Sequence, residues 1–225
     1  MSGKSLSVAI AILSLISIAG SVKGSNSEIV FRAGIVCPSG AIDRYVDTSL
    51  SLSGKVVFHF HKADMFGLSV GLHYIPFSSQ TQEVAFNRSG YASTAMLTSS
   101  ENAWGLVIGG QFGSPSRNAF FRPYADAGVG MYMFSSDNTY HALNSSTFET
   151  DEIEDNTDTR LRPGVEFGFG SGLFFKRTWG LGMDFTYNYV LGIRHPGPTG
   201  EEKSSVRFFG VSLMVIFQLD HLEGK

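Results

Sequence analysis

Eight antiparallel β-strands closed into a transmembrane barrel are the fold this sequence predicts, and three observations carry that expectation. Polarity alternates at every second residue, most cleanly over 180–193. There Leu181, Met183, Phe185, Tyr187, Tyr189, Leu191 and Ile193 share one face of a strand, and Gly182, Asp184, Thr186, Asn188, Val190 and Gly192 the other. A wholly apolar, aromatic face opposite a small, glycine-rich face with isolated charges suits lipid outside and a cramped lumen inside. The second observation is composition: 26 glycines and 13% aromatics suit many short strands with close backbone approach and interfacial rings. Third, beyond the first twenty residues no apolar run approaches the roughly 20 residues of a spanning helix, so a membrane crossing requires a closed sheet.

The strands are expected at 28–37, 49–61, 65–77, 103–112, 120–134, 160–174, 180–193 and 206–219. The first is short and places Arg32 inward. In the second, Leu52, Val56, Phe58 and Phe60 oppose Ser51, Ser53, Lys55, Val57 and His59. In the third, Phe66, Leu68, Val70, Leu72 and Tyr74 oppose Gly67, Ser69, Gly71 and His73. In the fifth, Phe121, Pro123, Ala125, Ala127, Val129, Met131 and Met133 oppose Arg122, Tyr124, Asp126, Gly128, Gly130 and Tyr132. The sixth sets Val165, Phe167 and Phe169 against Arg162, Gly164, Glu166 and Gly168. With one register per strand, nearly every mid-strand charge falls on the glycine-rich face. A lipid-facing Arg or Lys at the midplane costs about 2–4 kcal/mol, so this placement is not chance. The eighth strand departs from the pattern: Phe208, Met214 and Ile216 lie opposite Phe209, Val211, Leu213 and Val215, apolar on both faces. Arg207 falls outward there, near the loop end, within reach of lipid headgroups.

Connections alternate in length. Residues 62–64, 113–119 and 175–179 are short; 38–48, 78–102, 135–159 and 194–205 are long and polar, the pattern of short periplasmic turns and long outer loops. Residues 1–24 read as an export signal, with Lys4 before an apolar stretch over 8–19 and the small Val22 and Gly24 at the −3 and −1 positions, cleavage after Gly20 being the alternative. Residues 25–225 then form one barrel domain. Cys37 is the only cysteine, which excludes an intrachain disulfide and a cysteine-based metal site. A net charge of −3 gives no reason to expect nucleic acid.

These segments resemble the OmpA-like and opacity-porin family of small outer-membrane β-barrels. The run Arg122-Pro123-Tyr124-Ala125-Asp126-Ala127-Gly128-Val129-Gly130 is similar to that family's fifth strand, and 162–172 with 179–187 to its sixth and seventh. Phe217 looks like the aromatic residue at which family members end and which the assembly machinery reads. Here eight residues follow it, and Ser212 stands where a glycine is common. The resemblance implies residence in a Gram-negative outer membrane and loops that meet host, lipid, lipopolysaccharide or solutes.

Several sites come into question. Arg32, Lys55, Arg122, Asp126, Arg162, Glu166, Asp184 and Asn188 project into the lumen, where an eight-stranded interior is just wide enough to be filled by side chains. Charges of both signs there are expected to pair into a plug; a narrow small-solute pore is the alternative. His59 and His61 share a face at a chelating spacing without a third ligand, so no metal or cofactor is expected. A lipid-modifying enzyme would need Ser, His and a carboxylate together. Only His73, the serines of 78–102 and Asp126 are candidates, so no catalytic residue is assigned. The acidic run 148–158 lacks the glycine of a calcium loop and reads as a solvated loop. A soluble lipocalin-like binder is the remaining alternative.

Overall fold

The computed structural model describes residues 26–39, 48–60, 63–77, 80–85, 91–113, 119–144, 150–175, 178–197 and 200–219. They form nine strands: β1 (Asn26–Ser39), β2 (Ser49–Phe60), β3 (Ala63–Pro76), β4 (Gln80–Ala85), β5 (Tyr91–Gly113), β6 (Phe121–Asn144), β7 (Thr150–Phe175), β8 (Trp179–Gly197) and β9 (Gly200–Gln218). All pairings are antiparallel. Eight strands close into a ring, because β1 pairs with both β2 and β9 while β3 pairs with β5. The ninth, β4, follows β3 upward along the same edge of β5, with the register displaced by one residue.

The register fixes the shape of the ring. From Glu166, the pairs run through Gly128, Gly109, Ser69 and Val57 to Glu28 on one side. On the other they run through Asn188 and Phe208 to Pro38, so the circuit closes on β1 ten residues higher. A shear of ten over eight strands tilts them by about 40° and leaves an interior that side chains fill.

The outer face carries the apolar alternate set. Val129 is 66% exposed and Leu213 68%, with Leu52, Leu68, Ile108, Phe167 and Met183 also exposed. Aromatic girdles bound this belt. At the end of the short turns, Phe66 packs on Phe112 at 5.1 Å and Phe175 on Trp179 at 5.1 Å. At the other end, Tyr74 packs on Trp104 at 4.5 Å, Tyr187 on Phe209 at 4.8 Å, and Arg207 lies 5.8 Å from the Tyr189 ring. Between girdles the strands run some eight to ten residues, about 20–25 Å along the barrel axis, which matches the apolar band of a membrane barrel.

The structure corrects the sequence reading above the upper girdle. The regions read as loops over 78–102, 135–159 and 194–205 are largely strand: β5, β6 and β7 continue past the belt, β4 joins them, and β8 and β9 extend to Gly197 and Gly200. The acidic run read as a loop therefore lies mostly on β7, with Glu154 opposite Tyr140 and Asp151 opposite Ala142. The ladder with β6 holds this stretch as strand although its polarity does not alternate. The export signal at 1–24 and His61 lie outside the described residues.

Candidate functional site: the filled lumen

Arg32, Arg122, Asp126, Glu166, Asp184 and Asn188 point inward on their strands' glycine faces, and Lys55 points inward on the face of β2 that carries Ser51, Ser53 and Val57. Four of them meet at mid-height. Arg32 Nη2 lies 3.2 Å from Asp184 Oδ2 and 3.5 Å from Asp126 Oδ2. The Lys55 ammonium contacts the same Asp126 oxygen and donates to Gln111 Oε1 at 2.9 Å. The Tyr124 hydroxyl donates to Asp184, and its ring lies 4.9 Å from Lys55 Nζ. A side chain on Gly168 would collide with the Oδ1 atom of Asp126, so glycine on this face is what admits the carboxylate.

A second cluster closes the end of the short turns. Arg122 Nη1 donates to Glu28 Oε1 at 3.2 Å and Arg122 Nε to the Ala119 carbonyl at 3.3 Å. Gln218 Nε2 donates to Glu28 at 3.1 Å, His59 Nε2 lies 3.4 Å from Glu28 Oε2, and the guanidinium sits 3.4 Å from the Phe174 ring centre. The cavity there measures only about 40 Å³. A larger depression of about 500 Å³ is lined mainly by outward residues, among them Ala33, Leu52, Tyr74, Trp104 and Leu213. The inward Arg32, Ser53 and His73 also line it.

Higher up, His73 Nε2 approaches Glu166 Oε2 to 3.1 Å without the alignment of a hydrogen bond. The carboxylate beside His73 is therefore Glu166, whereas the sequence reading offered Asp126. Asp126 is held by Lys55 and Arg32. Above this, Tyr132 is fully buried and donates to Asn188 Oδ1 at 2.5 Å. Its ring fits between Gly105 and Gly164, whose added Cβ atoms would fall 2.7 and 2.8 Å from it.

An apolar layer then seals the upper lumen: Val36, Ile75, Phe77, Ala103, Val107, Phe134, Val190, Val206 and Phe208. The Phe208 ring stacks between Phe77 at 5.6 Å and Phe134 at 6.2 Å. A smaller apolar group, Val30, Phe174, Met214 and Ile216, lines the lower wall. The doubly apolar last strand is thus explained: its inner face supplies Val206, Phe208, Met214 and Ile216 to these layers. Sequence reasoning missed the layers, although apolar residues of both parities in 206–219 were their signal. It also missed Glu28 and Gln111, which share the parity of the inward residues on their strands.

Arg162 stands apart. It lies on the inner face of β7 above Glu166, and its buried Nε has no hydrogen-bond partner among the described residues. The same holds for Arg32 Nε and Nη1, Asp126 Oδ1 and Asp184 Oδ1, but those groups are otherwise paired.

With this geometry in hand, solved structures give the comparison. The chain superposes on Neisserial surface protein A with a TM-score of 0.54 at 11% identity, covering 88% of this chain and 100% of that one. It superposes on a major outer membrane protein from Thermus thermophilus with a TM-score of 0.58 at 11% identity, covering 87% and 100%. The chain has the fold of the outer-membrane β-barrels. At that identity the likeness carries the fold and no activity. No family model matches the chain, and no curated protein matches it in sequence. The lumen of this barrel holds a charge cluster at each of two heights beneath an apolar, aromatic layer.

Proposed function

We propose that this protein is an integral barrel of a Gram-negative outer membrane, exported by a signal at residues 1–24 that is then removed. Its role is to hold the sheet formed by β4 to β7, and the loops it carries, at the cell surface. Lipopolysaccharide and the barrel-assembly machinery are its partners in the envelope, and a host or cell-surface ligand meets the loops. The observation that carries the reading is the inverted packing: an apolar belt between two aromatic girdles outside, and paired charges under a sealed aromatic layer inside.

Two measurements test it. The mature protein should need detergent and migrate differently on gels before and after heating; recovery in the soluble periplasmic fraction would sink the assignment. In planar bilayers the wild type should carry no steady current, because the layer around Phe208 leaves no wetted path. Phe208→Ala removes the ring stacked between Phe77 and Phe134 and should produce discrete conductance steps. A steady ohmic current through the wild type would favour a second reading, a narrow solute pore. The unpartnered polar atoms of Arg32, Asp126 and Asp184 favour that reading, since such groups attract water.

A further inference from the structure

The wall of the barrel parts between β7 and β8. Their ladder runs from Phe175↔Trp179 up to Gly164↔Val190 and, among the described residues, no further. Both strands continue, β7 up to Thr150 along β6 and β8 up to Gly197 along β9. The local chemistry explains where the ladder stops. Pro163 has no N–H to donate across the next rung. On β8 the register slips between Val190 and Ile193, and Gly192 takes a φ of 69°, a conformation that leaves the plane of the sheet.

Arg162 sits at the edge of this gap. Two rungs above Gly164↔Val190, the register would place Gly192 opposite it, a residue with no side chain to fill the space. On its other side is Tyr132, whose hydrogen bond to Asn188 crosses below and closes the gap from the lumen. The acid nearest below it on its own strand face, Glu166, lies 3.1 Å from His73 Nε2, and Arg160 above is bound to Asp158. The Arg162 side chain has no ion pair or hydrogen bond among the described residues. The height matters too. The gap opens at the level of Tyr189 and Arg207, the upper girdle, where lipid headgroups lie. Outward residues flanking it, Leu161 and Leu191, are exposed and apolar.

We propose that the gap between β7 and β8 binds the phosphate headgroup of an outer-leaflet lipid, with Arg162 as its ligand and the acyl chains lying outside on Leu161 and Leu191. A guanidinium presents paired N–H donors that match two phosphate oxygens, and a partly buried site strengthens that contact. The anion also removes the cost of leaving a partly buried cation unpaired. The site rests on the membrane reading given above.

The test uses the full chain refolded in detergent, titrated with dioleoylphosphatidic acid and read by native mass spectrometry. Wild type should retain one lipid. Arg162→Gln should bind about tenfold more weakly or worse, Arg162→Lys should fall between, and Arg160→Gln should stay close to wild type. Dioleoylphosphatidylcholine should be retained less than phosphatidic acid, because its choline shields the phosphate. Inorganic phosphate should displace the lipid only in large excess; displacement at equal concentration would assign the site to free phosphate and overturn the lipid. Lipid retention by Arg162→Gln equal to wild type, in a variant that keeps its heat-modifiable migration, would overturn the proposal. That result would leave the membrane reading standing. A chain that stays soluble without detergent would sink the membrane reading instead.

Discussion

The two halves of β6 are one continuous strand in two different settings. Below Phe134, its residues alternate strictly: Val129 and Met131 face out, Asp126 and Tyr132 face in. From Ser135 to Asn144 the same strand reads Ser, Ser, Asp, Asn, Thr, Tyr, His, Ala, Leu, Asn, with no alternation. Both halves keep their ladders to β5 and β7. The difference teaches that alternation reports the environments on the two faces and not the presence of a strand. Lipid on one side and a packed axis on the other write a pattern into sequence. Two faces with no such contrast leave none, and only pairing to neighbours holds the strand.

The sharpest way to break the lower half is to unpair its charges. Asp126→Ala removes the carboxylate shared by Lys55 and Arg32, leaving the ammonium buried with only Gln111 to accept from it. The expected loss is about 3–5 kcal/mol, read as a lower midpoint for denaturant unfolding of the refolded barrel in lipid vesicles. Replacing Asp126 together with Lys55 by leucine and methionine should recover much of that loss, since an apolar pair needs no compensating charge. A double variant no more stable than Asp126→Ala would show that the pair does more than neutralise itself.

This contrast also explains how far residues alone could be read. Seven charged positions, Arg32, Lys55, Arg122, Asp126, Arg162, Glu166 and Asp184, were legible as inward because each interrupts an alternating run whose other face is apolar. Their grouping was not legible. Which cation meets which acid depends on shear, and shear is set by registers across eight strands that no single segment encodes. Arg32 and Asp126 are 94 residues apart and share a salt bridge only because the barrel closes with a stagger of ten. The strands above the upper girdle were read as loops for the reason β6 gives: polar on both faces, they carry no period.

On the outer face, Val129→Arg puts a charge near mid-belt on a residue that is 66% exposed. It should cost about 2–4 kcal/mol in the same unfolding measurement. A loss under a few tenths would mean that this face does not meet acyl chains, and the apolar belt would need another explanation. Tyr132→Phe acts more gently. It deletes the hydroxyl that donates to Asn188 and leaves a buried amide oxygen unpaired, at a cost of about 1–3 kcal/mol. The ring stays between Gly105 and Gly164, so any larger effect would mean that the ring has moved.

The smallest effect belongs above the girdle, and it makes the comparison quantitative. Thr139→Arg carries the same new charge as Val129→Arg, ten residues further along the same strand. Thr139 pairs with Thr98 on β5 and Asp155 on β7, so its ladder is intact on both sides. If water covers that stretch, the guanidinium keeps its hydration and stability should change by no more than about 0.5 kcal/mol. The difference between the two arginine variants then measures the lipid directly, with strand geometry held constant. Equal losses at both positions would mean that the membrane boundary does not fall at Tyr74, Trp104 and Tyr189, and the upper sheet would have to be placed inside the bilayer.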